Sequence, residues 1–527
     1  MKSHKGALIM AVNNPHAITS VMPNAKHIRH QNKELVLVKH TLCSTKVLRN
    51  LGLNAPTPML HDGYVWPGPA THRPMDHQIQ TADFITVNNK LFVLNGTGTG
   101  KTGAALWGLD YLMLRGYVKR VLIVCPLSVI KPVWQDEAFM LLPHRSCGVL
   151  TGSKDKKLKV LESGCEICVI NFDGLSSLFH NDKKRRKKSC PLKDRFDLII
   201  VDEASTYRNA DTDRYEALKF INTPQVRLWL MTATPVPNSP TDAWGLTRLV
   251  SPSRVPDSFN LFRETVMQPA GPYKWVPKIG AEKTVREVMQ PAIRFEKKDC
   301  LDLPPLTYND RYCELEDEQK EMFSVMKSKM KHEDAESGVS IQAANAAVKI
   351  LKLQQICCGV VKDDDGNAVH LKCNKRLNLL LELIEQANDK VIVFVPFIFS
   401  MHMIMAFLAK HKISAALVNG EVPNHERAQI FTAFQQSETP RVLVAHPAVA
   451  AHGLTLTAAS TVIWYAPIYS LEHYEQANAR IERKGQKNVM SVFHMISHPF
   501  EAAIFNVLKK KGSVQGALLN LYREAVN

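Results

Sequence analysis

The sequence predicts an α/β protein: two lobes, each a parallel sheet flanked by helices, with a helical insertion between them and a small N-terminal β-containing module ahead of them. Three observations carry this expectation. Short apolar runs alternate with helical patterns, as βαβ units require. The alternation occurs twice, on either side of a charge-rich stretch. The 527 residues leave room for three to four domains at roughly 150 residues each. With 45% hydrophobic and 22% charged residues, the chain has the composition of a soluble globular protein, which excludes wholesale disorder, a peptide effector and a disulfide-stapled miniprotein.

Taken in order, residues 1–70 are mixed, with alternating runs such as Glu34 to Lys39 and a Pro/Gly-rich exit at Trp66-Pro67-Gly68-Pro69, and form the N-terminal module. Residues 71–255 hold the first strand series: Leu91–Leu94, Val121–Val124, Cys168–Ile170, Leu198–Val201 and Leu228–Met231. Residues 256–375 are helical and charged, with helical patterns over Glu314–Lys331 and Gly338–Ile356, and are expected to be the insertion. Residues 376–500 hold the second series, Val391–Phe394, Ala415–Val418, Val442–Val444, Thr461–Trp464 and Met490–Phe493, and 501–527 read as a helical tail. The run Val391–Ala409 is apolar and long enough to span a bilayer. Pro396, Ser400 and His402 interrupt it, and its β-branched start suits a buried strand followed by a helix.

Sixty-six Lys+Arg against fifty Asp+Glu leave +16, which favours a polyanionic partner such as nucleic acid. The eleven cysteines are irregularly spaced, mostly in apolar runs, and read as reduced thiols of a cytosolic protein. Cys165 and Cys168 form a C-x-x-C without a second pair at zinc-knuckle spacing, so a metal site is not expected there. The N-terminus, with Asn13-Asn14-Pro15 and no small-residue cleavage site, does not read as a signal peptide. A cytoplasmic location in a bacterial or phage-infected cell, with no membrane contact, is the expectation.

Three clusters carry chemistry. After the Leu91–Leu94 run come Asn95, Gly96, Thr97, Gly98, Thr99, Gly100, Lys101 and Thr102, then a helical run to Leu112. Strand, glycine-rich loop and helix is the order of a phosphate cradle: backbone N–H groups close on the phosphates, Lys101 adds a cation, and Thr102 can ligate Mg²⁺. Asn95 stands where the usual pattern has its first glycine. The run Leu198–Val201 ends in Asp202-Glu203, where Asp202 suits a Mg²⁺ partner and Glu203 a base orienting the attacking water. In the second lobe Gln476, Arg480 and Arg483 stand at i, i+4 and i+7. One helical face would present both guanidinium groups to a γ-phosphate.

These residues, in this order, resemble the Swi/Snf-like branch of the superfamily-two helicases, from about residue 73 to 495. Arg73-Pro74-Met75-Asp76-His77-Gln78 is similar to the adenine-reading Q-type motif, with Gln78 the reader. Gly98-Thr99-Gly100-Lys101-Thr102 matches motif I of a family that commonly lacks the first glycine. Val124 to Val129 with Trp134 and Glu137 resembles motif Ia and its downstream signature, Asp202 to Ser205 motif II, and Thr232 to Pro235 with Asn238 motif III. Leu303-Pro304-Pro305 and Leu353 to Cys357 are similar to inter-lobe landmarks, Gly453 to Thr457 to motif V, and Gln476 to Gln486 to motif VI. Ala450 and Ala451 replace paired glycines, Thr455 an asparagine, and motif II ends in Ala204-Ser205.

The resemblance implies two RecA-like P-loop lobes of the compact phage or bacterial type. It also implies an ATP- and Mg²⁺-using motor that closes over duplex DNA and moves along, unwinds or reanneals it. Gln78, Gly96, Thr97, Gly98, Thr99, Gly100, Lys101, Thr102 and Gln476 would hold the nucleotide. Thr102 and Asp202 would hold Mg²⁺, and Lys101, Asp202, Glu203, Arg480 and Arg483 would act in catalysis. Two alternatives remain open: an RNA-directed helicase, and a catalytically silent nucleic-acid-binding scaffold. The basic run Lys183–Lys188 reads as a solvated loop, a nuclear import signal or a phosphate contact, and a recruiting protein is unidentified.

Overall fold

Parallel strands covered by helices on both faces must be apolar throughout, and the run Val121–Cys125 is buried along its whole length. The computed structural model describes residues 2–4, 6–61, 63–182, 187–237, 239–271, 274–337, 343–362, 367–450 and 455–510. The chain divides into two units, one of residues 1–235 and 240–300, the other of 301–527 with the short stretch 236–239.

The first unit holds a seven-stranded sheet in the order Ala292–Ile293, Lys90–Val93, Arg227–Met231, Leu198–Asp202, Val121–Cys125, Ile167–Asn171, Cys147–Val149. Every neighbouring pair is parallel. All five expected strands are present. Helices Asp76–Val87 and Lys101–Leu114 pack against each other. Their close approach depends on Gly108, where a Cβ would stand 2.5 Å from Ile85 Cδ1. Register positions the chemistry. Val93 pairs with Met231, and Met231 with Asp202, so the loops after these three strands leave the same carboxyl edge, where open α/β sheets bind ligands.

The second unit holds a six-stranded parallel sheet in the order Leu306–Tyr312, Met490–Ile496, Ala459–Trp464, Lys390–Phe394, Val442–Ala445, Ala415–Val418. Lys390–Phe394 is followed by the helix Ile398–Lys410. Among the described residues no helix is long and apolar enough to cross a membrane.

The N-terminal module is a four-stranded antiparallel sheet, ordered Lys2–His4, Ala7–Ala11, Lys33–Lys39, Lys26–His30. Its own core contains Leu8, Met10, Ile18, Val36, Val38 and Leu48. The helix Leu42–Asn50 ties it to the first unit: Arg49 pairs with Asp83 at 2.9 Å, and Leu42 lies in the core that also holds Ala82 and Ile85.

The structure divides the 256–375 stretch differently from the expected single insertion. Ala292–Ile293 pairs with Lys90–Val93 in the first sheet, and Leu306–Tyr312 pairs with Met490–Ile496 in the second. The first lobe therefore reaches Cys300 rather than residue 255. A two-residue strand gives no periodic signal, and Leu306–Tyr312 is a half-exposed edge strand rich in polar residues. The helical part, Asp317–Ser337 and Ala343–Cys357, follows the strand Leu306–Tyr312 within the second unit; residues 338–342 of the expected second helix lie outside the described residues. The expected C-terminal tail is also divided. Helix Pro499–Lys509 places Phe500, Ile504, Phe505 and Leu508 in the second core, and residues 511–527 lie outside the described residues.

Candidate functional site

The loop between strand Lys90–Val93 and helix Lys101–Leu114 is shaped by residues around it as well as in it. Gly98 and Gly100 have φ of 77° and 72°, a region that side chains with a Cβ rarely adopt. At Gly100 a Cβ would lie 2.2 Å from Gln78 Nε2. Gln78 can approach because that space is empty. Its Nε2 donates to Gly100 O at 3.0 Å, and its Oε1 accepts from Met75 N at 2.9 Å. His77 Nε2 donates to Thr99 O at 2.7 Å, and Thr99 Oγ1 to Gly96 O at 2.8 Å. Lys101 Nζ donates to the carbonyls of Asn95 and Gly96 at 2.9 and 3.1 Å. Thr97 and Thr102 are half-buried.

Asn95 is more than a missing glycine. It is buried; its Nδ2 donates to Thr81 Oγ1 at 2.9 Å, and its Oδ1 accepts from Phe295 N at 3.0 Å. Gly96 N donates to Phe295 O at 2.9 Å. One side chain thus joins the loop to the helix Asp76–Val87 and to the segment after strand Ala292–Ile293. The only trace of this in the sequence is an amide following the apolar Leu94.

Asp202 ends its strand with Oδ2 accepting from Trp134 Nε1 at 3.0 Å and Oδ1 from Glu203 N at 3.1 Å. Burial pushes its carboxyl above the usual range; Lys101, Trp134 and the Glu203 amide oppose that shift. Glu203 has φ 50°. A non-glycine residue in this region is sparsely populated and costs of order 1–3 kcal/mol, held here by the buried run Leu198–Val201 behind it. The resemblance named Trp134 as a landmark, and the structure makes it the partner of Asp202. Thr232 N donates to Val93 O at 3.0 Å and Thr232 Oγ1 accepts from Thr234 N at 3.2 Å, so the motif III strand exit is sewn to the phosphate-loop strand. Asn238 lies outside the described residues. The first unit therefore brings Gln78, Gly96 to Thr102, Asp202 and Glu203 to one edge.

The second unit gathers Gln476, Arg480 and Arg483, but not on one helix. The helix Leu471–Asn478 ends before the arginines, which lie on the turns that follow. Trp464 Nε1 donates to Asn478 Oδ1 at 2.9 Å and fixes the helix end. The i to i+4 relations survive as turn bonds: Arg480 Nε donates to Gln476 O at 2.8 Å and Arg483 Nε to Ala479 O at 3.3 Å. Arg483 Nη1 also donates to Thr455 Oγ1 at 3.1 Å, and Leu456 N to Arg480 O at 3.0 Å. Gln486 is buried, its Nε2 donating to Ala459 O at 2.9 Å and Ile481 O at 3.2 Å. Thr455, which departs from the family's asparagine, is thus a direct partner of the second arginine. Ala451, Gly453 and Leu454 lie outside the described residues.

In the basic run Lys183–Lys188, residues 183–186 lie outside the described residues. Its end forms the strand Lys187–Ser189, paired with His180–Asp182, and Lys188 is engaged by Glu216 at 2.6 Å. Cys168 is buried in the strand Ile167–Asn171, with Cys165 Sγ 3.1 Å from Ser163 Oγ.

Residues 25–360 match the SNF2-related domain model, and residues 375–485 the helicase conserved C-terminal domain. The chain is 24% identical over 468 residues to the uncharacterized ATP-dependent helicase YqhH of Bacillus subtilis, covering 83% of this chain and 78% of that protein. It is 24% identical over 474 residues to the putative protein p41 of Acyrthosiphon pisum secondary endosymbiont phage 1, covering 85% and 98%. It is 26% identical over 406 residues to the uncharacterized ATP-dependent helicase MG018 of Mycoplasma genitalium, covering 76% of this chain but 37% of that longer protein.

Proposed function

Because the chain belongs to the SNF2-related family and is a nucleic-acid-dependent ATPase of the Swi/Snf-like helicase type, we propose that it is a DNA translocase that uses Mg²⁺-ATP to move along duplex DNA, with strand separation optional. The observation that carries the ATP half is the register that sets the Gly96–Thr102 loop, Asp202-Glu203 and Thr232 at one sheet edge.

The residue roles follow from their chemistry. The loop amides lead into the N-terminus of the 14-residue helix Lys101–Leu114, where backbone N–H groups and the helix dipole favour phosphate. Lys101 supplies a point charge to the outer phosphates. Gln78 reads the base while holding Gly100 in place. Thr102 and Asp202 offer hydroxyl and carboxylate oxygen, the hard donors Mg²⁺ takes, and a neighbouring lysine keeps the Asp202 carboxyl from rising further. Bound Mg²⁺ would neutralise charge developing on the transferred phosphoryl group. Glu203 orients the attacking water and accepts its proton, and Arg480 and Arg483, with Gln476 at the head of their turn, are the candidate sources of countercharge.

A pH prediction follows from Trp134. Its indole N–H opposes the upward push of burial on Asp202, and a hydrogen bond to a charged group contributes about 1.5–3 kcal/mol. Trp134→Phe keeps an aromatic ring but loses the donor, so Asp202 retains its proton to higher pH. The acid limb of the pH–turnover profile is expected to move up by about one to two units. An unmoved limb would separate Trp134 from the chemistry.

The function is tested by measuring ATP hydrolysis with duplex DNA, single-stranded DNA and RNA, beside triplex-displacement and strand-displacement assays. Duplex stimulation with triplex displacement is expected, whereas stimulation by RNA alone would overturn the reading. In the same assays, neutralising Lys183–Lys188 is expected to weaken DNA binding and flatten its salt dependence. An unchanged salt slope would leave that run a solvated loop.

A further inference from the structure

The first sixty residues contain eight lysines and arginines and a single carboxylate, Glu34, so they hold seven of the sixteen net positive charges. Antiparallel register sorts these residues onto two faces. Leu8, Met10, Val36 and Val38 pair side by side and form the module's core. Glu34 lies on that same side, where it pairs with Arg29 and His27. The one carboxylate is thus spent on the inner side.

The alternate residues face outward. Lys26 and Ile9 flank Leu37, Ile28 flanks Leu35, His30 pairs with Lys33, and Lys39 with Ala7. Lys26, Ile28, His30, Lys33 and Lys39 are exposed, and Ile9, Leu35 and Leu37 half-buried, so this face is open to solvent. It carries no acidic residue.

We propose that the outer face of the N-terminal sheet is an accessory contact for the phosphate backbone of duplex DNA, made by Lys26, Lys33 and Lys39. This deepens the translocase reading and rests on it. Lys33 and Lys39 sit on one strand six residues apart, about 20 Å at the usual rise, which spans several phosphates of a duplex. Lysine stems can cover an apolar patch such as Ile9, Leu35 and Leu37 while their ammonium groups stay in the solvent. A protein partner would instead need a pocket for an aromatic or aliphatic anchor, and an open sheet face rimmed by lysines offers none.

The test uses the full chain with Lys26→Gln, Lys33→Gln and Lys39→Gln combined, and measures duplex affinity across a salt series. Each phosphate contact contributes about 0.9 to the slope of log affinity against log salt. The slope should therefore fall by about 2.7, and the affinity lost between 50 and 200 mM salt should shrink about forty-fold. The Lys→Arg triple should keep the original slope, and ATP hydrolysis without DNA should be unchanged in both. A Gln triple with the parental slope, or one that loses binding to polyglutamate but not to DNA, overturns the proposal. A parental chain that neither binds nor responds to duplex DNA would instead overturn the translocase reading beneath it.

Discussion

Replacing Lys101 with alanine is expected to lower nucleic-acid-stimulated ATP turnover by about 10²–10³-fold, the usual effect of removing one preorganised charge from a developing anion. Two losses combine here. The outer phosphates lose their point charge, and Asp202 loses the cation that restrains its upward shift, so the acid limb of turnover should also move to higher pH. Glu203→Gln is expected to cost about 10²–10⁴-fold, the range for a positioned base, while leaving ATP binding in place. The chain should still fold in both, because the runs Leu198–Val201 and Leu228–Met231 are buried and apolar. Steady-state hydrolysis beside nucleotide binding and far-UV circular dichroism checks this, and turnover surviving both substitutions would refute the mechanism.

The largest expected effect on stability lies in the second lobe. Arg376 is buried, and its guanidinium donates to both carboxylate oxygens of Glu501 at 3.0 and 3.1 Å, to Ser497 Oγ at 2.6 Å and to the Met495 carbonyl at 3.1 Å. It also donates to the carbonyl of Tyr465. These partners tie helix Asn374–Gln386 to helix Pro499–Lys509 and to the ends of two central strands. Arg376→Leu or Glu501→Gln removes one partner of a desolvated ion pair, which typically costs about 3–5 kcal/mol. A urea midpoint should fall accordingly. The double change Arg376→Met with Glu501→Leu should recover only part of the loss. It removes both charges, but the carbonyls of Tyr465 and Met495 are left without their donor. Full recovery would show that the loss in the single variants comes from the orphaned charge, and that neither the ion pair nor this donor network holds the lobe.

Much of the site could be read from the chain because its chemistry is local. Gly98 and Gly100 have to be glycines for the loop to close, Lys101 follows at the helix start, and Asp202-Glu203 ends an apolar run; each signal lies within a few residues. The arginine turn was legible by spacing but not by conformation. The i, i+4 rule expected a helix through Arg483, whereas the helix stops at Asn478, where Trp464 holds the side-chain amide and Leu456 binds the Arg480 carbonyl. Both competing partners come from elsewhere in the lobe, so no local pattern announces them.

The α/β class, the two strand series, the phosphate loop and the carboxylate pair were legible in the chain, because hydrophobic periodicity and turn chemistry act over short separations. Folding alone put Ala292–Ile293 and Leu306–Tyr312 into different sheets and tied the loop to Phe295 through Asn95. It also set Trp134 against Asp202 and put Lys26, Lys33 and Lys39 on one sheet face free of carboxylates. Each of these is a pairing between residues set far apart in the chain or between neighbouring strands. Its energy comes from register and burial, which exist only once the sheets have formed.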